Sequence, residues 1–209
     1  MRRLGALFLC LLCGACAAVK AAPQDYLAQK NVTPPTLETF DHCSHYGCQR
    51  VQAVALEPGD WRAIKKAYGG KARNAEAERA KIAKAVGAFE EIAGGKTGTA
   101  IDKGGTFLKM GNGQLDCVDE SVNTTSYLLL LQERGWLEFH EVSNVNARFP
   151  LVHSGRWPHQ SATMREIDTN AQWAVDSWLH DNGAPPEIVP LRAWLDGHRP
   201  PDNADEKAG

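Results

Sequence analysis

The sequence predicts an α+β domain in which a cysteine-headed helix packs on an antiparallel sheet. Three observations predict it. Apolar residues recur at helical spacing up to about residue 135, short alternating segments separated by turn residues follow, and a helix of buried character opening at Cys117 joins the two halves.

Residues 22–40 read as a proline-containing, partly extended leader, after which Val51, Val54 and Leu56 allow a short strand. Pro58-Gly59-Asp60 then opens a helix with Asp60 as its expected N-cap. Trp61, Ile64, Ala67 and Tyr68 recur at helical spacing before Gly69-Gly70 stops it. A longer helix is expected from about 74 to 93, with Ile82, Val86, Phe89 and Ala93 on one stripe and Gly94-Gly95 ending it. Glycines at 94, 95, 98, 104, 105, 111 and 113 make the next stretch a loop. Such a loop could cradle phosphate, but it lacks the terminal Gly-Lys-Ser/Thr that the chemistry uses.

The third helix begins at Cys117. Asp116 can cap it, Asp119 and Glu120 suit its positive end, and Gly135 stops it. Leu128 to Leu131 are apolar on every side, so this helix is expected to be buried. That also disqualifies Asn123-Thr124-Thr125 as a glycosylation acceptor. Strands are expected over 136–142, 159–166 and 172–178, the last two forming a hairpin around Asp168-Thr169-Asn170. Pro185-Pro186 and Pro190 make a strap anchored by Trp194, and 199–209 reads as a disordered tail. The expected organisation is a leader over 22–57 and a main domain over 58–198.

The chain has 209 residues, enough for one domain with a real core. Its net charge of -2, with no run of like charges, gives no reason to expect a nucleic-acid partner. Met1-Arg2-Arg3 followed by an apolar run from Leu4 to Cys16 has the layout of a secretory signal over 1–21, too short to span a bilayer. Export to the periplasm or cell envelope is therefore expected. Val19-Lys20-Ala21 suits cleavage before Ala22. A rival reading acylates Cys16 as a lipoprotein, with Cys13 standing where an aliphatic residue is usual, and a membrane would then be met only through that anchor.

Cys10, Cys13 and Cys16 fall in the signal, which leaves Cys43, Cys48 and Cys117. In an oxidising compartment Cys43 and Cys48 are close enough to close a small loop, so Cys117 remains as the odd thiol. The histidines of Asp41-His42-Cys43-Ser44-His45-Tyr46-Gly47-Cys48 also suit a metal, but there is no Cys-x2-Cys knuckle and no second ligand pair downstream.

An unpaired exported cysteine invites a nucleophile reading. A helix N-terminus favours the thiolate, while the acids beside Cys117 oppose it, so a base must help. His159 heads one strand. Asp176 lies in the next, where an acid is costly unless paired. An even number of loop residues puts the two on one face; an odd number without a bulge separates them. Simple pairing leaves Asp176 a few residues off, so twist or a bulge must close the gap. The competing accounts are an inert buried thiol at 117, a surface histidine at 159 with His140 or His153 in its role, and a structural carboxylate at 176. Trp136, Trp157, Trp173 and Trp178 read as core and cleft wall.

The segment Gln114-Leu115-Asp116-Cys117-Val118-Asp119-Glu120-Ser121, the strand opening with His159 and the strand carrying Asp176 resemble the bacterial transglutaminase-like cysteine peptidases of the wider papain-like group. The order of parts is similar from about 60 to 194. The resemblance implies a transglutaminase/papain-like fold and a Cys117-His159-Asp176 triad attacking an amide carbonyl of a protein or peptide through an acyl-thioester. It also implies an oxyanion hole from the Cys117 backbone N–H with a second donor, for which Gln114 is a candidate. No cofactor is required. Some members depend on calcium through acids flanking the cysteine, which Asp116 and Asp119 match, although Val118 stands where a further acid is often found. The same site could serve acyl transfer to an amine, and the fold could be kept by a non-catalytic envelope protein.

Overall fold

The computed structural model describes residues 22–106, 111–149 and 158–200. The signal segment with Cys16, together with His153, Trp157 and the tail from 201, lies outside them. The architecture is mixed α+β with two antiparallel sheets.

The leader is more ordered than its composition suggests. Pro23 opens α1 (Pro23–Gln29), a position where its missing N–H costs nothing. Seven residues are too few to be helical alone. Packing decides: Leu27 is fully buried, and the Tyr26 hydroxyl meets Ser121 Oγ at 3.1 Å. β1 (Thr39–Ser44) and β2 (Arg50–Ala55) then form a two-stranded antiparallel sheet, closed at its tip by a Cys43–Cys48 disulfide. Only the second of these strands was expected.

α2 (Pro58–Tyr68) starts two residues before the expected cap. Pro58 takes the first turn, and Asp60 sits at the third helical position, where its carboxylate accepts the Glu57 N–H at 2.8 Å. α3 (Ala75–Thr97) is capped by Asn74 and runs straight through Gly94-Gly95. Gly94 serves close approach, and neither glycine ends the helix. A Cβ on Gly94 would stand 2.9 Å from the backbone of Ala100, and the left-handed stop comes at Gly98, φ 85°.

α4 (Cys117–Glu133) is the central element, with 14 of its 17 residues buried. It ends at Gly135, φ 68°. β3 (His140–Arg148), β4 (His159–Glu166), β5 (Gln172–Asp176) and β6 (Glu187–Pro190) form an antiparallel meander in chain order, and α5 (Leu191–Leu195) follows. β3 begins later than expected because the chain before it is spoken for. The Trp136 N–H returns to Leu131 O, and buried Glu78 accepts the N–H groups of Glu138 and Phe139. Trp136 packs instead against Trp61 and Tyr68, and Trp173 lies beneath the guanidinium of Arg79. The strap contains β6, and Trp194 is its fully buried anchor.

The core lies where α4 meets the sheet, α3 and the hairpin. Val122, Leu128 and Leu130 join Val142, Ala162, Met164 and Val175 from the sheet, with Ile82, Val86 and Phe89 from α3 and Phe40 from β1. Phe89 stacks on Tyr127 at 4.9 Å and meets Phe40 and Trp61 edge-on. None of the described helices is long and apolar enough to cross a membrane.

Truncating this aromatic hub, Phe89→Ala, is expected to cost about 3–5 kcal/mol of folding free energy. Urea unfolding followed by tryptophan fluorescence measures it.

Candidate active site

Asp116 caps α4 as expected, its Oδ1 accepting the N–H groups of Val118 and Asp119 at 3.0 and 2.8 Å. Cys117 is therefore the first helical residue, where unsatisfied N–H groups favour an anion. The remaining carboxylate oxygens reach outward. Asp116 Oδ2 accepts from Gly47, and Asp119 accepts from Cys48 through Oδ1 and from Tyr46 through Oδ2, at 2.7 to 2.8 Å. His45, Tyr46, Gly47 and Cys48 all have φ between 62° and 69°, so three consecutive N–H groups converge on these acids. Three non-glycine residues in that region carry strain, which the disulfide and the two carboxylates hold in place.

Each oxygen of Asp116 and Asp119 is thus accepting backbone N–H. Calcium takes about six to eight oxygen ligands, and among the described residues no group of three or more His, Cys, Asp or Glu is arranged to hold a metal. The two acids act as loop anchors. The Asp41 to Cys48 stretch is likewise spent on a disulfide, and His42 is a buried core residue bonded to Thr99 Oγ1 at 3.1 Å.

The His159–Asp176 expectation is met in space. Arg165↔Gln172 through Ala162↔Val175 are paired, leaving an even loop from 166 to 171, and Asp176 falls opposite Ser161, two places from His159 on the same face. Diagonal neighbours of this kind are about 7 Å apart at Cα, within reach of an imidazole. No bulge is needed in this ladder; the irregularity lies instead between Ser143 and Asn146, in β3–β4. His159 Nε2–H donates to Asp176 Oδ2 at 2.7 Å, with both residues at most 4 % exposed.

An ionised carboxylate only accepts, so Nε2 carries a proton, and in the neutral ring the lone pair is then on Nδ1. Nδ1 is buried without a hydrogen-bond partner. Cys117 is a free, buried thiol lying against the backbone N–H of Gln160, the residue next to His159. The sulfur thus lies against the residue next to His159, and Nδ1 makes no hydrogen bond to it. Burial pushes the Cys117 thiol up to about 12, with the charges of Asp116 and Asp176 adding to it, against the N–H groups of Gln160 and Cys117. Burial also acts to raise Asp176. The charge and hydrogen bond of His159, the Trp194 N–H and the charge of Arg148 outweigh it and hold the carboxyl below its usual range.

Other expected residues sit elsewhere. Gln114 spends its side chain on the glycine-rich loop, accepting from Lys103 N at 3.1 Å and donating to Ile101 O at 3.0 Å. His140 is buried away from the thiol, its Nδ1 on Glu78 at 2.7 Å and its Nε2 against Arg79 at 3.2 Å.

The sequence marked Trp178 as core or cleft wall and Trp194 as the strap's anchor, but gave no sign of the other residues around the site. Trp178 and Trp194 flank the His159 ring at 4.8 and 5.4 Å. Arg148, opposite His159 in the β3–β4 ladder, is buried beside Asp176 and Cys117. Around α4, burial raises Glu90 to about 8 and Asp102 to about 7, and raises Glu120 well above the usual carboxylate range. Regular spacing could have suggested only that Glu90 and Glu120 interrupt otherwise apolar helix faces.

No protein-family model matches the chain, and neither the curated proteins nor the solved structures contain a match.

Two outcomes follow from this geometry. The raised carboxyls bind protons more tightly in the folded chain than in the unfolded one. Their favourable contribution is complete below about pH 4 and is lost as pH rises through 7–8. Glu90→Gln, which keeps an acceptor for the Gly183 N–H, should therefore stabilise the protein by at least ~1 kcal/mol more at pH 8.5 than at pH 5. Thermal unfolding across pH reads this out. Second, Cys43→Ser with Cys48→Ser should cost about 2 kcal/mol in denaturant unfolding, and the rate of Cys117 alkylation should change with it because that loop holds the start of α4.

Proposed function

We propose that this chain is an exported thiol hydrolase of the periplasm or envelope, a peptidase of transglutaminase-like, papain-related type, acting on proteins or peptides. The observation that carries this is the buried His159–Asp176 pair at 2.7 Å with the lone pair of Nδ1 unengaged, beside the free thiol heading α4. In this reading Cys117 gives its proton to His159 Nδ1, and the sulfur attacks the amide carbon of the substrate. The C–N bond breaks as His159 returns the proton to the leaving amine. Water then attacks the thioester with His159 as base, releasing the acid and the thiol. Asp176 keeps the ring aligned and stabilises the imidazolium throughout. The Cys117 N–H supplies one donor for the oxyanion.

Proton transfer needs the sulfur and Nδ1 to come within hydrogen-bond range. Such contacts tighten on substrate binding. Acyl transfer to an amine would use the same first half-reaction. The raised thiol pKa favours a different reading, a non-catalytic envelope protein keeping this arrangement for binding.

Incubation of the protein with a degenerate peptide library, read by mass spectrometry for new N-termini, separates the three. Cleavage that falls at least ~1,000-fold in Cys117→Ala and in His159→Ala supports the hydrolase. Incorporation of a labelled primary amine without cleavage moves the assignment to a transferase. Neither product, with Cys117 unlabelled by iodoacetamide at pH 7.5, leaves the binding protein.

A further inference from the structure

We propose that Trp194 and Arg148 are positioning residues for the candidate active site, so that α5 is a working part of it. This rests on the triad reading above. The Trp194 indole N–H donates to Asp176 Oδ2 at 2.7 Å, the same oxygen that accepts the His159 Nε2–H at 2.7 Å. Two donors on one oxygen fix the rotation of the carboxylate, and with it the plane in which the imidazole lies. The indole is fully buried and its ring lies 5.4 Å from that of His159, so it also keeps water from the His–Asp contact.

Trp194 is itself held. α5 has five residues, too short to persist by its own hydrogen bonds. Arg148 Nη1 donates to the carbonyls of Trp194 and His198 at 2.5 and 3.3 Å, and the guanidinium carbon stands 4.7 Å from the centre of the indole ring. Arg148 is the last residue of β3 and the partner of His159 in the ladder, so one side chain links the strap to the strand that carries the base. Its charge also faces Asp176 and Cys117.

The groups facing Asp176 are His159 from β4, Arg148 from β3, and Cys117 and Glu120 from α4. Glu187, opposite it on β6, is engaged by His180 and His198 at 3.1 and 3.2 Å. Trp194 is thus the neutral donor of the set. Replacing it by phenylalanine removes the N–H while keeping an aromatic ring in the space.

The test is alkylation of Cys117 by iodoacetamide between pH 5 and 9, followed by mass spectrometry of the peptide containing it, together with proton NMR of the His159 Nε2–H. Trp194→Phe is expected to slow alkylation at pH 7.5 by about tenfold, the worth of one hydrogen bond to a charged group. It should also shift the pH profile and weaken the downfield Nε2–H signal. Arg148→Met should move both readouts the same way. A wild-type rate, profile and NMR signal in Trp194→Phe would overturn the proposal. His159→Ala, run in parallel, separates this from the triad itself: if it too alkylates like the wild type, the triad reading fails. Should Trp194→Phe not fold, hydrogen exchange in the unaltered protein decides. Slow exchange of the Trp194 and His159 N–H protons supports the proposal, and exchange at the rate of a solvent-exposed group refutes it.

Discussion

The start of α4 is where the molecule is most tightly determined. Asp116 caps the helix and Asp119 lies one turn in. Together they accept three consecutive N–H groups from a left-handed loop that a disulfide closes. Each partner needs the other. The acids would be costly to bury without donors, and the loop would not hold positive φ at His45, Tyr46 and Cys48 without an anchor. This clamp fixes the axial position of a helix that is buried along its length, and so fixes where Cys117 meets β4.

The same clamp sets the electrostatic problem of the site. Acids at the helix start, together with burial, act against ionising the thiol, while the helix N-terminus and the Gln160 N–H act for it. Burial and the neighbouring charges win in the absence of substrate. The His159–Asp176 pair stands on the opposite balance, with a low carboxyl and a ring nitrogen left open. Under the proposed hydrolase reading, such a site moves a proton from sulfur to imidazole when something else supplies the stabilisation. An acyl substrate with its developing oxyanion would do that.

Much of the fold was legible because it rests on local chemistry. The cap at Asp116, the stop at Gly135, the stripe Ile82, Val86 and Phe89, the Asp168 to Asn170 turn and the Cys43–Cys48 loop each depend on a few neighbouring residues. The errors have a common cause. Gly94-Gly95 looked like a stop because a glycine pair is a helix breaker in isolation, but close approach to Ala100 gives Gly94 another use. α1 and β1 were missed because packing, not propensity, makes them ordered. Gln114 looked free for an oxyanion, and no local pattern says that a loop 11 to 13 residues earlier will take both ends of its amide.

The sequence by itself determined an α+β chain, an unpaired thiol at a helix start, and a histidine and an aspartate on neighbouring strands. These follow from periodicity, capping and cysteine count, all readable within short windows. Only the tertiary structure decided the diagonal register that joins His159 to Asp176, the indole that completes the carboxylate's shell, and the use of Asp116 and Asp119 as anchors. Those are contacts between residues 17 to 73 positions apart, and what selects them is the competition among buried polar groups for partners, which no local pattern encodes.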